Sequence, residues 1–140
     1  MPAILDTGFV LALTNTRDPA HSACKKALAS ERESLVAPQA ILPELGWLLS
    51  SLLGSHAEAT FFAALPSAGW TLEPLVSADF GRVAELLRTY QDANLGFVDA
   101  AVITVAERLG ARTIYTLDRR HFSIVRPRHA DAFTLLPSGW

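Results

Sequence analysis

The sequence predicts an α/β fold, a three-layer α/β/α domain with a mostly parallel central sheet. Short apolar runs typical of buried strands alternate with stretches of helical periodicity along all 140 residues. Half of the residues are apolar and only 19% are charged, which suits a sheet covered by helices on both faces. No repeat, low-complexity segment or linker divides the chain, so we expect a single domain over residues 1–140.

Five runs are predicted strands, because each is apolar or rich in β-forming residues and is short. The first ends at Asp6, and the fourth, which contains IYTL, ends at Asp118. The last is expected at an edge of the sheet. In chain order the runs are 1–6, 34–37, 70–72, 113–117 and 133–136.

Helices are predicted between these strands from apolar residues at spacings of three and four. Asp18 followed by Pro19 is an N-cap acid before an N1 proline, Pro43 fits the first turn of a helix, and Gly110 fits a helix end. The predicted helices are FVLALTN, about 20–30, 44–53, 56–65, a helix from Ser77 to Tyr90, and a helix that carries Asp99 and ends near Leu109.

The composition limits the cellular compartment and the binding partners that we expect for this protein. Cys24 is the only cysteine, so the chain has no disulfide and we expect a reducing cytoplasm. No apolar run approaches the roughly 20 residues that span a bilayer, and the N-terminus lacks the basic start of a signal peptide. The net charge of −2 argues against nucleic-acid binding by bulk charge. The segment after Ala111, however, contains five arginines and only two aspartates, so RNA stays among the candidate partners.

Four acids stand where an α/β fold would bring them together. Asp6 and Asp118 follow predicted strands, while Glu44 and Asp99 lie near the starts of predicted helices. In open α/β sheets, sites form beyond the carboxyl ends of the strands. Each acid also has an ordinary interpretation taken alone. Asp6 suits a helix N-cap, Glu44 and Asp99 suit first-turn acids, and Asp118 suits a turn or a cap of the segment RRHF.

Together the four carboxylates indicate a metal site. They would repel one another in a small space unless a cation neutralised them. Their oxygens suit Mg²⁺ or Mn²⁺, and no His or Cys cluster has the spacing for zinc. Such an ion activates water and stabilises a phosphoryl group, which favours phosphodiester hydrolysis. We expect Asp6, Asp99 and Asp118 to be direct ligands, and Glu44 to bind directly, to bind through water or to orient the attacking water.

Four segments carry these acids in an order and spacing more specific than any single motif: LDTGFVLAL, PELGWLL, NLGFVDAAVITVAERLG and TIYTLDRRHF. Together they resemble the PIN domain and, more narrowly, the VapC-type toxins of bacterial toxin–antitoxin pairs. The resemblance covers essentially the whole chain and implies a parallel sheet of order 3-2-1-4-5. It also implies a Mg²⁺- or Mn²⁺-dependent endoribonuclease that forms a homodimer and is inhibited by a cognate antitoxin.

Position by position, the resemblance assigns Asp6, Glu44, Asp99 and Asp118 to the acidic metal site. Further residues are expected beside it: Thr7 after the first acid, Thr116 two residues before the last acid, and Asn94 before the Asp99 helix, where loop and capping chemistry is the alternative. Gly8 departs from the family pattern, since many relatives have a serine or another small polar residue there.

Basic residues follow the last acid, and these are the candidates for contacts to RNA phosphates. A solvated turn or an ordinary surface position is the alternative for each of them, and His121 is disfavoured as a general base. The candidates are Arg119, Arg120, His121, Arg126 and Arg128.

Trp47 lies on the Glu44 helix. That helix and the next one, which carries Phe61, Phe62 and Leu65, are predicted to form an apolar groove for a helix of the antitoxin. The alternative function is a catalytically inactive PIN-like binding module that acts through a partner protein. An aspartyl-phosphate protein is disfavoured, because no acid neighbours Asp6 at positions 7 or 8 and no lysine follows the last strand.

Overall fold

The five predicted strands form one parallel sheet in the computed structural model, which describes residues 1–140. Its order is β3-β2-β1-β4-β5, so the expected order 3-2-1-4-5 is confirmed, and every neighbouring pair is parallel. The strands are β1 (Ala3–Leu5), β2 (Leu35–Pro38), β3 (Thr71–Glu73), β4 (Thr113–Tyr115) and β5 (Thr134–Leu136).

Seven α-helices flank the sheet, with short 3₁₀ turns at 39–41, 65–67 and 91–93. No helix combines the length and the apolar character that a membrane span requires. The helices are α1 (Thr7–Thr14), α2 (His21–Ala29), α3 (Leu42–Leu53), α4 (Ser55–Ala64), α5 (Asp79–Thr89), α6 (Phe97–Leu109) and α7 (Arg119–Ile124).

Helix α6 is the most buried helix of the fold. Every residue of 100–106 is buried, because this apolar segment packs against α5 and also against β1 and β2. In β4, Tyr115 extends instead toward α1 and α2. Its ring centroid lies 4.9 Å from that of Phe9, and its hydroxyl donates a hydrogen bond to Glu31. The core therefore holds β1 and β4 in place, and both strands lead into the acidic residues Asp6 and Asp118.

The end of the fourth strand differs from the prediction. We expected the strand to continue to Asp118, but β4 ends at Tyr115. The hydroxyl of Thr116 accepts a hydrogen bond from the backbone N–H of Asp118 at 2.9 Å, which turns the chain away from the sheet. Asp118 then caps α7 by accepting the backbone N–H of His121. The capping role, considered above as the ordinary interpretation of this acid, is present in the structure.

The apolar face of α3 is only partly covered. Leu45 and Leu49 are fully buried, whereas the side chains of Trp47 and Leu52 are 69% and 59% exposed. Helix α4 packs beside α3, but none of its residues is fully buried, and Phe61 is only partly buried against the core. This corner of the molecule therefore presents apolar side chains to solvent, which is a property of association surfaces.

Helices α5 and α6 are joined by a nearly dry ion pair. Arg82 donates from Nε and Nη2 to the two carboxylate oxygens of Glu107, both at 2.8 Å, and the two side chains are 12% and 8% exposed. A two-point arginine–carboxylate contact fixes orientation as well as distance. It therefore holds the helix that carries Asp99 in a defined position.

We expect Arg82→Leu to lower the free energy of unfolding by about 3 kcal/mol, because the Glu107 carboxylate would stay buried without its partner. Urea denaturation measures the loss. Glu85→Gln is the matched control, since Glu85 also bonds Arg82 but its side chain is 53% exposed. It should change the stability by less than about 1 kcal/mol. Equal losses in the two variants would contradict this assignment.

Candidate active site

The four predicted acids line one cleft at the carboxyl ends of β1 and β4. Its volume is about 570 Å³, which makes it the largest cleft of the molecule. Besides the acids, the walls include the hydroxyl residue Thr7. The full lining is Asp6, Thr7, Gly8, Glu44, Leu48, Asp99, Leu117 and Asp118. The structure thus brings together residues that are separated by up to 112 positions in the sequence (118 − 6 = 112).

Asp6 is the most enclosed acid of the cleft, with 5% of its surface exposed. Its backbone N–H donates to the carbonyl of Tyr115, which fixes it beside β4, and its carboxylate accepts the hydroxyl of Thr116 at 2.7 Å. Burial raises the pKa of Asp6 to about 7 in spite of the hydrogen bond from Thr116, and the charges of Asp99 and Asp118 raise it further. The negative charge at this position is therefore poorly compensated by the protein itself.

Two threonines surround this acid. Thr116 is fully buried, and its hydroxyl both donates to Asp6 and accepts the N–H of Asp118, so one side chain connects two acids. Thr7 is 3% exposed and lines the cleft, yet its hydroxyl oxygen has no hydrogen-bond partner. A buried hydroxyl without a partner costs free energy. A ligand in the cleft would supply the missing partner.

Asp99 enters the cleft from the first turn of α6. One of its oxygens, Oδ2, accepts the backbone N–H of Gly96 at 3.4 Å, so this acid also helps to cap its own helix. Partial burial raises its pKa, and the charges of Asp118 and Glu44 act in the same direction. Glu44 lies on α3 and is exposed at the edge of the cleft.

His121 contacts Asp118 in two ways. Its backbone N–H donates to Oδ1 at 3.1 Å, and its ring Nδ1 lies 2.7 Å from Oδ2. The other ring nitrogen, Nε2, lies 3.0 Å from the carbonyl of Ala93. Hydrogen bonding to Asp118 raises the pKa of His121, because both ring nitrogens face acceptors. The ring faces the cleft acids, which differs from the predicted contact with RNA phosphates.

The arginines after Asp118 have different environments. Arg119 donates to the backbone carbonyls of Leu135 and Pro137, so it ties α7 to the C-terminal segment. Arg128 pairs with Glu85 at 2.9 Å, beside the far end of α6. Arg120 and Arg126 are exposed. Of these four arginines, Arg120 combines an exposed position with direct proximity in sequence to Asp118.

Asn94 lies outside the cleft lining and serves the loop before α6. Its φ angle is +56°, in the left-handed region that asparagine tolerates better than most residues. The backbone of Asn94 therefore has the loop conformation that the alternative prediction gave it. The ring contacts of His121 were not predicted from the sequence. The spacing Asp-x-x-His at the start of a short helix is the signal that places the two side chains side by side.

The residues of the cleft fit a hard divalent cation. The donors are carboxylate oxygens together with the unpartnered hydroxyl of Thr7, and Asp6 is a buried acid whose charge no cation balances. Side-chain ligand atoms of Asp99, Asp118 and His121 all lie within 4.8 Å of one another, whereas Asp6 and Glu44 reach the cleft from outside this group. Asp99, Asp118 and His121 are therefore already close enough to share a cation.

The stability of the metal-free protein should fall as the pH rises from about 4 to about 7. The folded state holds the Asp6 proton up to a pKa of about 7, whereas an ordinary aspartate releases it near 3.8. Stability from this group is therefore present at acidic pH and is lost as the pH passes the raised pKa. Asp6→Asn should remove this dependence and stabilise the protein at pH 8 by an amount on the order of 3 kcal/mol.

Chemical denaturation at pH 5 and pH 8, in the presence of a chelator, measures the effect. Asp92→Asn is the control, since Asp92 is an exposed aspartate in the turn at 91–93. It should retain the wild-type pH dependence. An Asp6→Asn variant that loses stability between pH 5 and pH 8 as the wild type does would contradict the assignment.

The chain is similar to a known protein family and to proteins of known structure. The PIN domain family matches residues 3–126. Ribonuclease VapC26 of Mycobacterium tuberculosis is 35% identical over 134 residues, which cover 96% of this chain and 99% of the relative. Among solved structures, VapC20 of M. tuberculosis, a Sarcin-Ricin loop cleaving toxin, is similar with a TM-score of 0.78 and 24% identity over 84% of this chain and 91% of that chain.

A second solved structure extends the similarity in fold to nearly the full length. VapBC2 from Rickettsia felis, solved bound to a DNA fragment from the promoter, matches with a TM-score of 0.70 and 15% identity over 96% of this chain and 97% of that chain. The match to the family model and the 35% identity to a VapC ribonuclease each cover most of the sequence. The chain belongs to the PIN domain family.

Proposed function

We propose that this protein is a Mg²⁺- or Mn²⁺-dependent endoribonuclease and the toxin of a VapBC-type toxin–antitoxin pair. The observation that carries the proposal is the acidic cleft, in which a buried aspartate with a pKa of about 7 lies beside three further carboxylates. The 35% identity to a ribonuclease over 96% of the chain supports the same activity. Hydrolysis of RNA phosphodiester bonds is the reaction that this cleft suits.

In this proposal Asp6, Asp99 and Asp118 hold the cation, and Glu44 acts at the edge of the cleft. When bound, the ion would activate water for attack and stabilise the charge that develops on the phosphate. Thr116 orients Asp6 through a 2.7 Å hydrogen bond and receives the backbone of Asp118. These contacts fix two of the acids before any ligand arrives, which lowers the cost of organising the site.

No protein group bonds the buried hydroxyl of Thr7, and we assign this hydroxyl a contact with a ligand of the cleft. It can donate to a phosphate oxygen or accept from a water molecule. Asp6 must lose its proton when a cation binds, so the affinity for the ion should increase with pH up to about pH 7. In this way the residues bind the ion and one oxygen of the substrate.

Without a cation, the cleft would repel RNA, because acids line its walls. The ion therefore serves binding as well as chemistry in this proposal. Arg120 is the exposed arginine next to Asp118, and we assign it the contact with RNA phosphate. Arg126 is a second exposed candidate, whereas Arg119 and Arg128 already bond protein groups.

We expect Asp99→Asn to reduce RNA cleavage by at least about 100-fold, since it removes one of the charges that hold the ion. A fluorescently labelled single-stranded RNA, with Mn²⁺ titrated from zero, measures the activity. Asp92→Asn should cleave as the wild type does, and a chelator should stop cleavage. Sequencing of cleaved RNA ends in cells, with wild type against Asp6→Ala, would identify the target.

The alternative function predicts a different result. A catalytically inactive binding module would neither bind Mn²⁺ nor cleave RNA, and Asp99→Asn would be indistinguishable from the wild type. That outcome would overturn the proposed activity and leave only the fold and the partner surface.

An antitoxin is the proposed protein partner, and an apolar groove of about 490 Å³ between α1, α3 and α4 supports this. Leu53, Ala57 and Phe61 form its apolar wall, with His56 and Thr60 among the polar residues. This size and character suit a helix or an extended apolar segment. Trp47, which was predicted to lie beside the antitoxin groove, is not among the residues that line this one.

A homodimer also belongs to the proposal. Trp47, which is 69% exposed, and Leu52, which is 59% exposed, leave apolar surface on α3 beyond the groove. Two copies of the chain could cover this surface at the same time as an antitoxin occupies the groove, because the two sets of residues differ. Equilibrium sedimentation of the toxin alone would measure the oligomeric state.

We expect Leu53→Glu to weaken the complex with the antitoxin by at least about 10-fold, because a charge would replace an apolar side chain of the groove. Calorimetric titration with a small protein encoded beside the gene, selected because it relieves growth arrest, measures the affinity. Val76→Glu is the control, since Val76 is 45% exposed and lies outside the groove lining. Equal affinities for Leu53→Glu and Val76→Glu would contradict the proposed binding groove.

A further inference from the structure

His121 connects the two loops that deliver Asp118 and Asp99 to the cleft. Its ring Nδ1 lies 2.7 Å from Asp118 Oδ2 and 4.0 Å from Asp99 Oδ2. Its Nε2 lies 3.0 Å from the carbonyl of Ala93, in the connection that leads into α6. The imidazole therefore bridges the start of α7 and the loop before α6 through its two nitrogens.

The contact between the His121 ring and the Asp118 carboxylate is not needed for helix capping. The backbone N–H of His121 already satisfies the capping function of Asp118 through Oδ1. The ring adds a second bond to the other carboxylate oxygen, Oδ2, and anchors itself on Ala93. A side chain held through both of its oxygens cannot rotate freely about its terminal torsion.

We propose that His121 is a positioning residue of the metal site, which holds the Asp118 carboxylate in the cleft beside Asp99. The inference rests on the proposed function, since it concerns the same site. Asp118 is 36% exposed, and it faces other acids that repel it. Without the ring, the carboxylate would gain by turning outward into water, and the cleft would lose one of its ligands.

The ring contact is compatible with binding of a cation by Asp118. A carboxylate offers about four lone-pair sites, so each oxygen that accepts from His121 keeps one site free. Ligating carboxylates are commonly oriented by such outer hydrogen bonds, and the loss of these bonds typically costs about 10- to 100-fold in metal affinity. His121 thus acts on the ion through Asp118 rather than as a contact for RNA.

Three substitutions separate the contacts of the ring. His121→Ala removes both. His121→Asn places an amide N–H₂ near the position of Nδ1, so it keeps a donor to Asp118 and loses the bond to Ala93. His121→Gln reaches the position of Nε2 and loses the donor to Asp118. Mn²⁺ affinity from calorimetry at pH 8 is the main measurement, together with the Mn²⁺ dependence of RNA cleavage.

We expect His121→Ala and His121→Gln to bind Mn²⁺ about 10- to 100-fold more weakly than the wild type, and His121→Asn to recover most of the loss. Cleavage by His121→Ala should return toward the wild-type rate at saturating Mn²⁺. A crystal structure of metal-free His121→Ala should place the Asp118 carboxylate toward solvent.

His129→Asn is the matched control. The Nε2 atom of His129 bonds the carbonyl of Ala111, so this histidine also ties a loop, but at the other end of α6. The variant should affect thermal stability without changing the Mn²⁺ affinity. Unchanged affinity in His121→Ala, or equal losses in His121→Asn and His121→Gln, would overturn the positioning role. A wild-type protein that binds no Mn²⁺ would overturn the proposed function and the positioning role together.

Discussion

The uncompensated charge of Asp6 is the constraint on which the site depends. The carboxylate is 5% exposed, and none of the ion pairs in the structure includes it. Its one side-chain bond comes from a neutral hydroxyl, that of Thr116. A buried acid in this situation binds a proton or a cation, because an isolated charge in a protein interior is costly. The charges of Asp99 and Asp118 make the ionised form of Asp6 still less favourable without a cation.

A comparison inside the molecule shows that burial alone does not mark a functional acid. Asp79 is 6% exposed, close to the value for Asp6, but its carboxylate accepts from Arg108 and from the backbone of Val76. Glu107 is similarly matched by Arg82. These acids are neutralised by the fold and stabilise the packing of α5 and α6. The cleft acids lack an arginine or lysine, which is why a cation from solution suits them.

Some basic residues near the C-terminus bond other groups of the protein, whereas others are exposed to solvent. Arg119 bonds two backbone carbonyls and Arg128 pairs with Glu85, so these two arginines already have partners within the protein. In the proposed function, electrostatic attraction for RNA would come mainly from a bound cation and from a few exposed arginines such as Arg120. Metal binding and substrate binding would then depend on each other.

The fold class and the positions of the four cleft acids were accessible from sequence, because they depend on local patterns. Apolar runs of a few residues, helical periodicity and the positions of acids after strands are all readable without coordinates. The strand order came from the resemblance to the PIN domain, since periodicity alone does not order strands in a sheet. The structure contains the order β3-β2-β1-β4-β5 and a cleft with all four acids.

Only the tertiary structure decided how these side chains are held. The hydroxyl of Thr116 reaches Asp6 across 110 positions, and the ring of His121 reaches Ala93 across 28. Such contacts depend on how distant segments pack and on which acceptors are left free, and no local pattern encodes either. The four acids could be predicted from the sequence because their positions follow local patterns. Which of them lacks an ion-pair partner depends on the packing of distant segments, so only the tertiary structure determined it.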